Sequence, residues 1–125
     1  MNESIASGPG RALIALYGLF SLAAGARAGV QIATRFGEAP LAYSLSAFAA
    51  LVYILLTVAL WRGARRLALV ALGIELAGVL VIGTLSLLDP AAFPHATVWS
   101  GYGRGYLFIP LVLPLVGFYW LWRKR

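Results

Sequence analysis

The sequence predicts an all-α polytopic membrane protein, a bundle of four transmembrane helices with both termini on the cytoplasmic side. Three observations lead to that expectation. The chain of 125 residues is 62% hydrophobic and 11% charged, against roughly 45–50% and 25% in soluble domains. A soluble fold this small has much surface for its volume and needs polar groups to cover it; lipid tails remove the need. Apolar segments of spanning length recur along the chain, since about 20 helical residues cross a hydrocarbon core of about 30 Å. Basic residues then collect at one set of segment ends.

The first expected span runs from Ala12 to Thr34, the second from Leu41 to Leu60, the third from Leu67 to Leu88 and the fourth from Tyr106 to Trp122. Together they read as a single transmembrane domain over residues 1–125. Ser7-Gly8-Pro9-Gly10 starts the first span, because neither glycine nor proline extends a helix backwards. Phe36-Gly37-Glu38-Ala39-Pro40 reads as a polar turn, with Pro40 suited to the first turn of the next helix. Trp61-Arg62-Gly63-Ala64-Arg65-Arg66 is a short basic connection that predicts an antiparallel hairpin. Asp89-Pro90 closes the third span, and Trp120, Trp122 and Arg123-Lys124-Arg125 end the fourth as an aromatic anchor followed by a positive stop. An alternative reading takes Ala24-Gly25-Ala26 as a signal-peptide cleavage site. That would leave three spans, but the helical pattern continues past Arg27 to Thr34.

Charge sets the expected orientation. With Arg62, Arg65 and Arg66 in the cytoplasm, Arg11 and Arg123 to Arg125 fall on the same side. The opposite loops keep Arg35 and Arg104 beside Glu38 and Asp89. This is the positive-inside bias, and a multi-pass protein of the plasma membrane is the expectation. The bias also explains the net charge of +6 without nucleic acid, because no aromatic-basic surface remains to follow a phosphate backbone. The lipid bilayer, other membrane subunits or a second copy of the chain are the expected partners.

Catalysis is not expected. There is no cysteine and one histidine, His95, so thiol chemistry and bis-histidine haem ligation within this chain are excluded. No serine-histidine-acid set, glycine-rich phosphate loop or pair of catalytic carboxylates can be assembled. No cofactor and no metal are expected.

Two residues stand out instead. Arg27 interrupts the first span and Glu75 the third. A charge at mid-membrane costs about 2.5–3.5 kcal/mol on insertion scales, so such residues face a bundle interior, a partner or a water-filled cavity. Helical rise puts Arg27 about 22 Å and Glu75 about 12 Å from the same end of their spans, an offset of about 10 Å. The structural alternatives are an ion pair that fixes helix register, or Arg27 snorkelling outward while Glu75 stays neutral. The functional alternatives are proton or cation handling at Glu75, or a charged contact with another subunit or an anionic ligand.

The remaining candidates concern packing. Gly25 and Gly29 form a GxxxG motif, and Ala42, Ser46 and Ala50 a ridge of small residues. Both permit close helix approach, inside the bundle or between chains. Pro110 and Pro114 each remove a backbone donor, leaving the carbonyls of Tyr106 and Pro110 to find other partners. The stretch from Asp89 to Tyr106 contains Pro90, Pro94 and several glycines, which argue against a regular helix. Its Phe93, Trp99, Tyr102 and Tyr106 suit the headgroup layer. Trp99, Tyr102, Arg104 and Tyr106 are the expected contacts of this loop.

The stretch Phe36-Gly37-Glu38-Ala39-Pro40-Leu41-Ala42-Tyr43-Ser44-Leu45-Ser46-Ala47 resembles a family of small four-helix integral membrane proteins of actinobacteria. So do Gly83-Thr84-Leu85-Ser86, Thr97-Val98-Trp99-Ser100 and Leu107-Phe108-Ile109-Pro110-Leu111-Val112-Leu113-Pro114. The likeness runs from about Arg11 to the tail. It implies the four-span class and supplies neither an activity nor catalytic residues. The expectation is therefore a non-enzymatic accessory or assembly subunit of a larger membrane complex. The alternative is a small homodimeric proton-coupled transporter using Glu75.

Overall fold

A computed structural model describes residues 8–94 and 97–123. His95, Lys124 and Arg125 lie outside the described residues, as does Ser7. The described chain is an all-α helical bundle. Its helices are α1 (Pro9–Arg35), α2 (Pro40–Arg62), α3 (Arg65–Leu88) and α4 (Ile109–Arg123). At 1.5 Å per residue the first three are about 40, 35 and 36 Å long, enough to cross a bilayer, whereas α4 is about 22 Å. Three helices are thus long and apolar enough to span, and the count reaches four if α4 is taken with the bent segment before it.

The helix ends have local causes. Pro9 and Pro40 occupy the first turns of α1 and α2, where a missing N–H costs nothing. Gly63 closes α2 in the left-handed conformation, φ 67°. The Gly63 amide donates to the Leu60 carbonyl, and the Ala64 amide reaches back to the Ala59 carbonyl at 2.8 Å. That back-bonded glycine turn satisfies the last carbonyls of α2 and lets α3 begin two residues later. The result is the expected α2–α3 hairpin.

Hairpin geometry brings the start of α1, the end of α2, the start of α3 and the end of α4 to one end of the bundle. Pro9 and Leu13 share a cleft with Tyr119, Trp120 and Arg123, and the Arg65 guanidinium donates to the Leu121 carbonyl. Arg65 thereby caps the negative end of the α4 dipole. Arg11, Arg62, Arg65, Arg66 and Arg123 consequently share this arginine-rich end.

The α1–α2 contact is the most extensive in the molecule. Ala24 and Ala28 of α1 and Ala42, Ser46 and Ala50 of α2 are all buried, so the small-residue ridge on α2 is an internal packing face. The GxxxG motif is not. A Cβ added at Gly25 or Gly29 would meet no atom within 4 Å, because that face of α1 points away from the bundle.

The link between α3 and α4 departs most from the sequence expectation. Instead of offering all its aromatic rings to the headgroup layer, it folds Trp99 into the bundle. Trp99 is 1% exposed. Two glycines of α3 make room: a Cβ at Gly78 would overlap the Trp99 ring, and one at Gly83 would overlap the Tyr102 ring. The Gly101 amide donates to Ser86 Oγ at 2.8 Å, and Tyr102 and Thr84 share a hydroxyl–hydroxyl bond of 2.8 Å. Gly101, Tyr102, Gly103, Leu107 and Phe108 are all left-handed, a conformation that costs a non-glycine residue about 1–2 kcal/mol. Burying Trp99 and pinning Tyr102 compensate for that strain.

The chain then turns by 96° into α4. Since α4 starts at Ile109, Pro110 lies in its first turn and Tyr106 outside it. Only Pro114 is interior, so the expected pair of orphaned carbonyls reduces to that of Pro110.

Candidate functional site

Glu75 lies midway along α3 and is 0% exposed. Its neighbours come from three other elements. Tyr17 of α1 donates its hydroxyl to Glu75 Oε1 at 2.6 Å. Tyr53 of α2 lies with its ring centroid 6.0 Å from that of Tyr17. Trp99 donates its indole N–H to the Tyr53 hydroxyl at 2.8 Å and meets the Tyr53 ring edge-on at 6.3 Å. All four side chains are sealed from the exterior. The periodicity of α1 explains the alignment: Leu13, Tyr17, Phe20, Ala24, Ala28 and Gln31 recur every three or four residues and are all buried.

Glu75 Oε2 has no hydrogen-bond partner. Placing a carboxyl group in such surroundings is expensive unless each oxygen is satisfied, so this atom is left uncompensated among the described residues. Phe20 separates the cluster from the second intramembrane charge, packing on Tyr53 at 5.6 Å and on Tyr106 at 5.7 Å.

Arg27 does not reach Glu75. It is exposed and donates to the Tyr106 hydroxyl at 2.8 Å. The ion pair considered from sequence is thus replaced by two separate hydrogen bonds, with Phe20, Tyr53 and Tyr106 filling the offset. The cause is rotational: Glu75 faces inward on α3, whereas Arg27 lies off the buried stripe of α1. Among the four outer-loop candidates, Trp99 is internal, Tyr102 and Tyr106 are half-buried with engaged hydroxyls, and Arg104 is exposed.

Sequence reading missed Tyr17, Tyr53 and Gln31. Gln31 is 5% exposed and its Oε1 is unpartnered. The spacing of Arg27, Gln31 and Arg35 at i, i+4 and i+8 was the available signal, since it puts three polar groups along one side of α1. Among the described residues no group of three or more His, Asp or Glu side chains converges to hold a metal ion. Glu38, Glu75 and Asp89 sit on different segments.

Chemically, the Glu75 cluster offers one carboxyl oxygen without a donor, a tyrosine hydroxyl committed to the other oxygen, and a second tyrosine held by an indole. The arrangement can stiffen a helix interface or hold a proton; it assembles no nucleophile beside a base. Comparison with protein-family models, curated proteins and solved structures returns no match, so the reading of this site rests on its own geometry.

Proposed function

We propose that this chain is a non-catalytic plasma-membrane protein, crossing four times with both termini cytoplasmic, that serves as an accessory or assembly subunit of a larger membrane complex. The observation that carries this reading is the open face of α1 at Gly25 and Gly29. A Cβ added at either glycine would meet nothing within 4 Å, while Leu22, 74% exposed, and Val30, 57% exposed, flank them. A small-residue ridge lets a helix from another chain approach closely, and the exposed Arg27 beside it offers that partner a charge. Clustering of Arg11, Arg62, Arg65, Arg66 and Arg123 at one end supports the orientation through the positive-inside bias. Membership of the actinobacterial family that the sequence resembles belongs to the same reading.

The test is affinity purification from the native membrane in mild detergent. Wild type is expected to bring down stoichiometric partners, and Gly25→Leu with Gly29→Leu to lose them while keeping its helical content. Recovery of the wild-type chain alone would refute the subunit role. Reporter fusions after residues 63 and 125 should both report the cytoplasm.

A second reading, homodimeric proton-coupled transport, is favoured by one observation: Glu75 Oε2 is buried without a partner. It requires a second conformation that opens a route to Glu75, which is fully enclosed here. Proton flux in vesicles abolished by Glu75→Gln would select it over the subunit role.

A further inference from the structure

At the end opposite the arginine-rich one lies a cleft of about 480 Å³, lined by Ala26, Arg27, Val30, Gln31 and Arg35 of α1 and by Tyr43 of α2. Three features single it out. Its only charged lining residues are two arginines, so it concentrates positive charge. Arg27 and Arg35 are eight residues apart on α1, about 12 Å along its axis, with Gln31 between them. Gln31 is 5% exposed, and its amide oxygen has no partner. A buried amide left unsatisfied is uncommon in a finished core.

Donor capacity is in excess. Arg27 makes one hydrogen bond, to Tyr106, out of the five N–H groups of a guanidinium. Arg35 makes none to the described residues. The amide oxygen of Gln31 is the sealed atom, and its amide nitrogen supplies two N–H donors. Glu38 lies beyond Arg35 on the Phe36–Glu38 turn and does not line the cleft. Paired guanidinium groups match the oxygens of phosphate in a planar, two-point geometry that a single ammonium cannot reproduce. The cleft also sits at the end of α1, the level at which a spanning helix meets lipid headgroups.

We propose that this cleft is a phosphate-binding site, clamping a phosphate oxyanion between Arg27 and Arg35 with the Gln31 amide donating from its floor. The phosphate belongs to a phospholipid headgroup or to a soluble anion. The site borders the Gly25–Gly29 face, sharing Arg27 and Val30 with its edge, but Gln31 and Arg35 lie outside that face, so a lipid-binding test on those two residues succeeds or fails separately from partner recovery.

Purified protein in neutral detergent is titrated with phosphatidylglycerol and followed by native mass spectrometry, with and without millimolar inorganic phosphate. Wild type is expected to hold one phosphatidylglycerol. Arg35→Gln, which breaks no internal hydrogen bond, should weaken binding about tenfold, the loss of one charge-assisted contact. Gln31→Leu should weaken it several-fold at unchanged net charge, and Arg62→Gln at the other end should leave it unchanged. Arg27→Gln also removes the Tyr106 contact, so it is read only if its helical content and elution match wild type. Arginine-dependent lipid binding that phosphate leaves untouched upholds the site and assigns it to lipid. Displacement of the lipid by phosphate upholds the site and assigns it to a soluble anion. Absence of binding by wild type with both probes overturns the proposal. So does binding that survives Arg35→Gln and Gln31→Leu, or binding that falls equally with Arg62→Gln.

Discussion

Tyr17→Phe removes one hydroxyl, the only hydrogen-bond donor to Glu75 among the described residues. Both residues are 0% exposed, so water cannot replace the lost partner and both carboxyl oxygens are left bare. Orphaning a buried acceptor costs about 1–3 kcal/mol. Hydrogen bonds between membrane helices are weaker in double-mutant cycles, averaging about 0.6 and reaching about 1.7 kcal/mol, because the unfolded chain also finds partners in the bilayer. The short 2.6 Å contact places this one toward the upper figure, so Tyr17→Phe should destabilise by about 1–2 kcal/mol. Glu75→Leu removes the orphaned oxygen but leaves the buried Tyr17 hydroxyl without its acceptor, so the double replacement with Tyr17→Phe, which removes both partners, is the variant that should come out near neutral. In the Glu75→Leu background Tyr17→Phe should cost little, giving a coupling of about 1 kcal/mol. Reversible unfolding in mixed detergent micelles, followed by helical circular dichroism, measures all four corners of the cycle. A Tyr17→Phe protein within about 0.3 kcal/mol of wild type, or an equal cost in both backgrounds, would show that the hydrogen bond does not couple α1 to α3.

Other substitutions probe the remaining contacts. Gly78→Ala and Gly83→Ala drive a methyl into the Trp99 and Tyr102 rings, and each should destabilise by about 1–3 kcal/mol in the same unfolding assay. Gly73→Ala meets nothing within 4 Å and should instead stabilise by up to about 1 kcal/mol through helix propensity. Trp99→Phe keeps the packing but loses the donor to Tyr53. It should cost about 1 kcal/mol and speed proteolysis between Ser100 and Tyr106, read by fragment mass. Arg65→Gln loses the tie to the Leu121 carbonyl, and should raise hydrogen exchange in the last turn of α4 while leaving α2 unchanged.

Much of the backbone plan was legible. The expected spans Leu41–Leu60 and Leu67–Leu88 correspond to α2 from Pro40 to Arg62 and α3 from Arg65 to Leu88. Proline, glycine and arginine mark those ends, and such signals act within a few residues of where they stand. The first span grew to Pro9–Arg35 because Pro9 and Gly10 belong to its first turn rather than its boundary. The fourth shortened because left-handed Leu107 and Phe108 break the chain just before Ile109, and neither residue type advertises that conformation.

The candidate site was harder to read. Arg27 and Glu75 were visible as charges in apolar segments, yet their partners, Tyr106 and Tyr17, were not. Tyrosine is common at membrane surfaces, so its side chain alone does not distinguish a headgroup anchor from a buried hydrogen-bond donor. Trp99 misled for the same reason. Its slot is made by Gly78 on another element, a complementarity that exists only once α3 and the loop have met.

The sequence by itself determined the solvent this chain seeks, the places where its helices start and stop, and which ends carry arginine. Those properties follow from composition and from interactions between residues close together in the chain. Only the tertiary structure decided which way each helix turns. These helices are apolar nearly all round, so hydrophobic periodicity barely distinguishes a lipid-facing side from a buried one. Packing of Ala24 and Ala28 along α2, and of Trp99 into α3, sets that rotation. It turns Glu75 inward to Tyr17, leaves Arg27 outside with Tyr106, and opens the cleft between Arg27 and Arg35.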